Sequence, residues 1–221
     1  MAMAKAYRGL GMEGAIANWY TKNTGRDLSR FEKTARLVSS RVGPGSQVLE
    51  VAPGPGYLAI EMARRGFEVT TIDISRSFVR IAQENTRHAG VTVDVRHGNA
   101  SEMPFADASF DFVVCVAAFK NFSDPVGAID EIYRVLRPGG QASIFDLRKD
   151  ATREEIDAEV DRMHLSPWNA WLTRWTFSLM LVKRAYSRAQ FEQMAAQSRF
   201  GRCGVASDGI TSEFRFTKAE G

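Results

Sequence analysis

The stretch Val48-Leu49-Glu50-Val51-Ala52-Pro53-Gly54-Pro55-Gly56-Tyr57-Leu58 decides how the fold of this chain is interpreted. A short, mostly apolar run is followed by a turn of small residues and prolines, and a helical pattern begins at Tyr57. Small residues let a ligand approach the backbone closely, and the first turn of a helix offers unpaired N–H groups. The stretch therefore predicts a strand, a tight turn and a helix, which form either a nucleoside-binding loop or a plain strand-to-helix turn.

Strand-like and helical patterns alternate from this stretch towards the C-terminus. Strands are predicted at 47–51, 67–73, 91–97, 110–116 and 141–147, with helices between them at 57–65, 76–88 and 125–136. Two further strands, 204–207 and 213–217, flank the hairpin signal Asp208-Gly209. Extra helices are predicted at the N-terminus and between the fifth and sixth strands. The pattern predicts an α/β fold with a doubly wound, mostly parallel sheet of seven strands and a C-terminal antiparallel hairpin.

Length and composition exclude several classes of protein. The chain has 221 residues, of which 44% are hydrophobic and 25% charged, so it is not disordered, collagen-like or a disulfide scaffold. A formal net charge of +3 without a polybasic run gives no indication of nucleic-acid binding. Cys115 and Cys203 match no metal-ligand spacing, and no metal site is predicted. The N-terminus has no apolar signal core and Phe177–Val182 is too short to cross a bilayer, so a cytoplasmic protein is predicted.

Three polar residues follow or end the first three predicted strands. Glu50 lies near the end of a buried strand, where its carboxylate needs a partner; an ammonium group would provide one, whereas a pyrophosphate would be repelled. Asp73 ends the second strand and could accept hydrogen bonds from ribose hydroxyls or cap the next helix, although Ser75 is the better-placed cap. Asn99 either reads the edge of a base such as adenine or simply forms a turn.

Five motifs in register carry a resemblance to a known family. They are Val48–Gly56, Ile72-Asp73-Ile74, Gly98-Asn99-Ala100, Phe110-Asp111-Phe112-Val113-Val114 and Arg137-Pro138-Gly139-Gly140. Together they closely resemble the class I S-adenosylmethionine-dependent methyltransferases, in particular the small-molecule, quinone-biosynthesis-like subgroup. The resemblance covers about residues 45–147 and implies a Rossmann-like fold with its last strand antiparallel.

The resemblance also implies S-adenosyl-L-methionine as the cofactor and a role for each site residue. Glu50 would lie near its amino group, and the loop with Ala52, Gly54 and Gly56 would back its methionine and adenosine portions. Asp73 would hold the ribose. The remaining cofactor-binding positions would be Ile74 on the adenine face, Asn99 and Ala100 at the adenine edge, and Val116 below the sulfonium.

Three departures from the family pattern stand out. Ala52 replaces the first glycine of the loop, and Asn99 replaces a common aspartate. After the fourth strand, Phe119-Lys120-Asn121-Phe122 replaces a His-His pair, so the resemblance implies no histidine base there. A general base is optional for methyl transfer, and the candidates at the carboxyl edge of the sheet are Lys120, Asp146, His164 and Tyr20.

The sequence 163–186 is rich in aromatic residues, among them Trp168, Trp171 and Trp175. Three interpretations of this segment stay open. It is a lid over an apolar or aromatic acceptor, it is part of the core or of an oligomer surface, or it makes shallow contact with a membrane. One domain is expected over 1–221: an N-terminal helical cap (1–44), a cofactor-binding core (45–150), a helical acceptor-side segment (151–200) and a terminal hairpin (201–221).

The function that follows is methyl transfer from S-adenosylmethionine to a small, apolar or aromatic acceptor by in-line displacement. An NAD(P)-dependent oxidoreductase is the alternative enzyme, because Gly54-x-Gly56-x-x-Ala59 and Asp73 fit a dinucleotide fingerprint; Glu50 and the terminal hairpin argue against it. A non-catalytic nucleoside-binding or membrane-surface module is the other alternative. The acceptor, the methylated atom and the oligomeric state stay open.

Overall fold

The computed structural model describes residues 12–25, 28–162, 168, 171 and 184–220. Its helices in these ranges are α1 (Gly14–Thr24), α2 (Ser29–Ser39), α3 (Tyr57–Arg64), α4 (Arg76–His88), α5 (Pro125–Val135), α6 (Arg153–Arg162) and α7 (Arg188–Gln197), with a 3-10 turn at Phe119–Asn121. Its strands are β1 (Gln47–Val51), β2 (Glu68–Asp73), β3 (Val93–His97), β4 (Phe110–Val116), β5 (Leu136–Leu147), β6 (Gly204–Asp208) and β7 (Thr211–Thr217).

The seven strands form one sheet in the order β3-β2-β1-β4-β5-β7-β6. Strands β1 to β5 are parallel, whereas β7 runs antiparallel between β5 and β6. This confirms the predicted fold class. The chain leaves β1 towards one edge through β2 and β3 and then crosses to β4 on the other side. Open α/β sheets bind ligands at such a switch point, outside the carboxyl ends of the strands.

Strand β4 shows why the sheet has helices on both faces. Its residues from Phe112 to Cys115 are fully buried, and alternate side chains enter different clusters. Val113 and Cys115 pack with residues of α5 and α7, whereas Phe112 and Val114 pack with residues of α2 and α3. A strand that is covered on both faces has no face exposed to water, which explains why the sequence of β4 is almost continuously apolar.

Most predicted boundaries agree with the structure, and β1, α4 and β4 have the predicted ends. The sequences Thr152-x-x-Glu155 and Ser187-x-x-Gln190, each typical of a capping box, form capping boxes in the structure. The start of β5 was predicted five residues too late. Strand β5 begins at Leu136, which pairs with Phe110 of β4. The Pro-Gly segment that follows Leu136 belongs to the strand, and the pairing with β4 shifts register across it.

One of the extra helices predicted between the fifth and sixth strands covers residues 168–184, which lie mostly outside the described residues. Among the residues that are described, no helix is long and apolar enough to cross a membrane.

Candidate cofactor site

The turn between β1 and α3 is built on left-handed backbone. Gly54 and Gly56 have φ values of +55° and +81°, a conformation that favours glycine. A Cβ on Gly56 would also lie 3.1 Å from the Ala82 Cβ, so only glycine lets α4 pack this closely. Ala52 has φ +57°, so it adopts the strained conformation that the family's glycine would adopt freely. The turn leaves the first amides of α3 without a side-chain cap.

Glu50 lies beside this turn with only 3% of its surface exposed. Its Oε2 atom is buried and has no hydrogen-bond partner among the described residues. Burial raises the pKa of Glu50 to about 8, opposed by a hydrogen bond from the Ala59 backbone N–H and assisted by the negative charge of Asp73. A buried, unpaired carboxylate oxygen is costly, and a cationic ligand would remove that cost.

Asp73 connects the end of β2 to the glycine turn. Its Oδ2 accepts a hydrogen bond from the Gly54 backbone N–H at 3.1 Å, and its Oδ1 accepts one from the Ser75 N–H at 2.8 Å. Burial raises the pKa of Asp73 to about 6, although these backbone bonds oppose the shift. Ser75 is the N-cap of α4 and accepts from the Phe78 N–H, so Asp73 is not the helix cap.

The residues after β2 and β3 extend the same edge of the sheet. Ile74 is 39% exposed although it is large and apolar. Asn99 Oδ1 accepts a hydrogen bond from the Ser101 N–H at 3.1 Å, which is the turn role considered for it, and Ala100 packs partly on the core. His97, which was not among the candidates, donates from Nε2 to the Ile74 carbonyl oxygen at 3.1 Å. The residues expected from the sequence to bind the nucleoside part of the cofactor therefore lie together along the carboxyl ends of β1, β2 and β3.

Two of the candidate bases bind each other, one in the 3-10 turn after β4 and the other near the end of β5. Lys120 Nζ lies 2.8 Å from Asp146 Oδ1, and both side chains are buried. The Lys120 backbone N–H donates to Asp146 Oδ2, and the ammonium also donates to the Ala117 carbonyl oxygen at 2.7 Å. The Leu147 backbone N–H also donates a hydrogen bond to Asp146 Oδ1. This ion pair fastens the loop after β4 to the end of β5, next to Val116, and offers no free base.

Tyr20 lies beside the glycine turn. A Cβ on Gly54 would lie 3.9 Å from its Cε1 atom, and its ring packs edge-on against Phe78 at 5.7 Å between centroids. His164 lies outside the described residues, as does most of 163–186. In that segment the rings of Trp168 and Trp171 stack with 5.3 Å between their centroids. The two residues are 70% and 55% exposed.

Sequence reasoning missed two residues that fasten α1 to this site. The Glu13 carboxylate accepts hydrogen bonds from the backbone N–H groups of Arg76 and Ser77, both at 3.0 Å. The Tyr57 hydroxyl donates to the Thr21 carbonyl oxygen at 3.3 Å. Both contacts join distant parts of the chain, and no local pattern in the sequence signals them.

Comparison with known proteins shows which family this chain resembles. Residues 49–144 match the model of a methyltransferase domain. Demethylmenaquinone methyltransferase of Listeria welshimeri is 39% identical over 119 residues, which are 52% of this chain and 50% of that protein. The chain thus spans about half the length of the curated relatives it matches.

The solved structures share the fold. A SAM-dependent methyltransferase from Aquifex aeolicus has a TM-score of 0.64 and 20% identity, over 86% of this chain and 98% of that one. The cyclase SpnF has a TM-score of 0.59 and 20% identity, over 86% of this chain and 81% of its own, so this fold is not restricted to proteins named methyltransferases. The family match, the curated relatives and the fold together confirm the predicted resemblance to the class I S-adenosylmethionine-dependent methyltransferases of the quinone-biosynthesis-like type.

Proposed function

We propose that this protein transfers a methyl group from S-adenosylmethionine to a small, apolar or aromatic acceptor by in-line displacement. The observation that carries the proposal is Glu50, whose buried Oε2 atom is unpaired among the described residues. The amino group of the cofactor's methionine portion is a cation of the kind that this oxygen lacks. A dinucleotide would instead bring a pyrophosphate to the turn, which would add negative charge beside Asp73 and supply no cation for Glu50; this argues against the oxidoreductase alternative.

The rest of the site fits the other parts of the cofactor. Each oxygen of Asp73 accepts one backbone N–H and keeps lone pairs that ribose hydroxyls could use. The exposed side chain of Ile74 offers an apolar surface for the adenine ring, with Asn99 and Ala100 at its edge. Ala52, Gly54 and Gly56 supply backbone without bulky side chains, and Val116 at the end of β4 would line the pocket below the sulfonium.

When bound, S-adenosylmethionine supplies a methyl group on a positively charged sulfur, and an acceptor lone pair takes the methyl while the C–S electron pair returns to sulfur. The residues of this chain align the acceptor and exclude water. Lys120 and Asp146 neutralise each other and hold the β4 loop in place. We assign them no proton transfer, so an acceptor hydroxyl would be used in its ionised form or lose its proton to water.

An apolar or aromatic acceptor is favoured by two observations. The Listeria relative is named for demethylmenaquinone, a quinone. The segment 163–186 carries the exposed rings of Trp168 and Trp171, and its end at Tyr186 packs on Phe119 at 6.0 Å, beside the β4 loop. We therefore propose that residues 151–200 form the acceptor side, that 1–44 is a helical cap, that 45–150 holds the cofactor and that 201–221 completes the sheet.

A calorimetric titration of dialysed protein with S-adenosylhomocysteine and, separately, with NADH tests the cofactor. We expect binding of the first and none of the second; the reverse would support the oxidoreductase. Labelled S-adenosylmethionine is then incubated with demethylated quinols and with apolar cell extracts, and transfer of the labelled methyl group is counted. Binding of S-adenosylhomocysteine without transfer to any acceptor would contradict methyl transfer and support a nucleoside-binding module.

A further inference from the structure

Helix α1 is not expected to be stable in isolation. Its 11 residues include Gly14, Asn18, Thr21, Asn23 and Thr24, all poor helix formers, and isolated helices of this length are marginal in water. Its N-cap residue, Glu13, makes no side-chain hydrogen bond to its own helix. Contacts with the rest of the protein must therefore hold α1 in place.

The first set of contacts joins the start of α1 to the first turn of α4. Glu13 accepts from Arg76 and Ser77, as described above, and the Gly14 N–H donates to Ser77 Oγ at 2.9 Å. Ser75 Oγ donates to the Met12 carbonyl oxygen at 2.6 Å. Glu13 thus satisfies two of the amides that a helix start leaves unpaired, and its negative charge lies where the α4 dipole favours it.

The second set joins the rest of α1 to the glycine turn. Ala17 is fully buried against Phe78 and Ile81, and Tyr20 lies next to Gly54. At the other end, the Tyr57 hydroxyl bonds to the Thr21 carbonyl oxygen. Tyr57 follows Gly56 directly, and Ser75 follows Asp73 by two residues. Helix α1 therefore bridges the two turns that the proposed function assigns to the cofactor.

The Glu13 contact lies at the surface, as the Gly14–Ser77 bond does, because the Glu13 side chain is exposed to solvent. Its hydrogen bonds with Ser77 are the main cause of a lowered pKa of Glu13, so the carboxylate form is the one that is bound. A solvent-exposed bond can open locally at a much lower cost than unfolding of the buried core.

We propose that Glu13 is a positioning residue that fastens α1 across the cofactor turns, and that release of its carboxylate from α4 opens the path by which the cofactor leaves. The inference rests on the proposed function, since it requires a nucleoside ligand under α1. It extends the site to the N-terminal cap, outside the motifs that carry the resemblance.

The rate at which S-adenosylhomocysteine dissociates tests this inference in the whole 221-residue chain. Radiolabelled S-adenosylhomocysteine is bound, an excess of unlabelled compound is added, and loss of bound label is followed with time. Glu13→Ala should accelerate dissociation roughly tenfold, as expected for a lost helix cap. Glu13→Gln keeps one acceptor oxygen without the charge and should give an intermediate rate. Glu32→Gln is the matched control, because Glu32 lies on α2 and pairs with Arg36; its rate should stay within about twofold of the wild-type rate.

Hydrogen exchange separates fastening of α1 from general loss of stability. In Glu13→Ala, amides of Gly14–Thr24 should exchange faster while those of Phe110–Val116 keep their wild-type protection. Faster exchange in both segments, or a dissociation rate within twofold of wild type, would overturn the inference, and Glu13 would be an ordinary cap of α4. Failure of the wild-type protein to bind S-adenosylhomocysteine would overturn the proposed function and the inference with it.

Discussion

Glu50 and Asp73 lie towards the carboxyl ends of the neighbouring parallel strands β1 and β2, and both carboxyl groups are buried. Burial and, to a smaller extent, the charge of Asp73 raise the pKa of Glu50 to about 8. Burial raises the pKa of Asp73 to about 6. Two acidic groups in this position bind protons more tightly in the folded protein than in the unfolded chain, which makes stability depend on pH.

The Glu50 shift predicts that the ligand-free protein loses stability as the pH rises. The ordinary pKa of Glu50 is 4.5, so its contribution is fully present below that pH and is lost as the pH rises through about 8. Glu50→Gln cannot ionise and should gain roughly 2 to 4 kcal/mol relative to wild type between pH 5 and 8.5. Urea unfolding at both pH values measures this difference. Parallel stability profiles of the two proteins would show that Glu50 is ionised, and hence paired, without ligand.

Asp73→Ala should weaken binding of S-adenosylhomocysteine by at least about tenfold. The carboxylate would otherwise accept charge-assisted bonds from the ribose hydroxyls, each contributing about 1.5 to 3 kcal/mol. The substitution also removes the acceptor of the Gly54 and Ser75 N–H groups, so stability should fall as well. Calorimetry at a temperature where the variant is folded gives the affinity. Asp94→Ala, which removes an exposed carboxylate of β3, is the control; equal affinities in all three proteins would remove Asp73 from the site.

Lys120→Met should destabilise the protein by about 3 to 5 kcal/mol, because it leaves the Asp146 charge buried and unpaired. The double variant Lys120→Met with Asp146→Leu should recover most of this loss, since an apolar pair replaces the ions. Lys33→Met is the matched control: Lys33 pairs with Asp208 at the surface and should cost under about 1 kcal/mol. Urea unfolding of the four proteins decides the matter, and a Lys120→Met variant as stable as the control would mean that Asp146 is not charged in the fold.

Two exposed alanines with left-handed backbone predict stabilising substitutions. Ala108 has φ +53° and Ala117 has φ +57°, and the Ala117 conformation is fixed by hydrogen bonds to Phe145 and Lys120. This backbone costs an L-residue about 1 to 2 kcal/mol, more than the entropy that glycine loses on folding. Ala108→Gly and Ala117→Gly should each raise the free energy of unfolding by up to about 1 kcal/mol. A decrease in either variant would show that the methyl group contributes packing there.

The sequence predicts those features that depend on local patterns. The apolar run of β4, the small residues of the glycine turn and the strand ends at Glu50 and Asp73 place the candidate site at one edge of the sheet, because the carboxyl ends of parallel strands lie side by side. The early start of β5 could not be read in this way. Its Pro-Gly sequence is typical of a turn, and pairing with β4 overrides that preference.

Long-range pairs are the other part that local patterns do not contain. Lys120 and Asp146 are 26 residues apart, and each alone has the appearance of a free base; only their contact shows that they neutralise each other. Glu13 and Arg76 are 63 residues apart, and nothing near Glu13 indicates that it caps α4. Such contacts depend on the packing of helices against the sheet, which follows from the whole fold.

The position of β7 has a consequence for how the sheet is assembled during synthesis. Strand β7 follows β6 in the chain yet lies between β6 and β5, and it makes the antiparallel pairs of both. Until Thr211–Thr217 has left the ribosome, β5 presents an open edge and β6 has no neighbour in the sheet. A nascent chain at that stage exposes a row of unpaired backbone groups, which favours pairing with other chains. We therefore expect nascent chains that stall just before Thr211 to be prone to aggregation, whereas addition of this one segment joins both strands to the sheet.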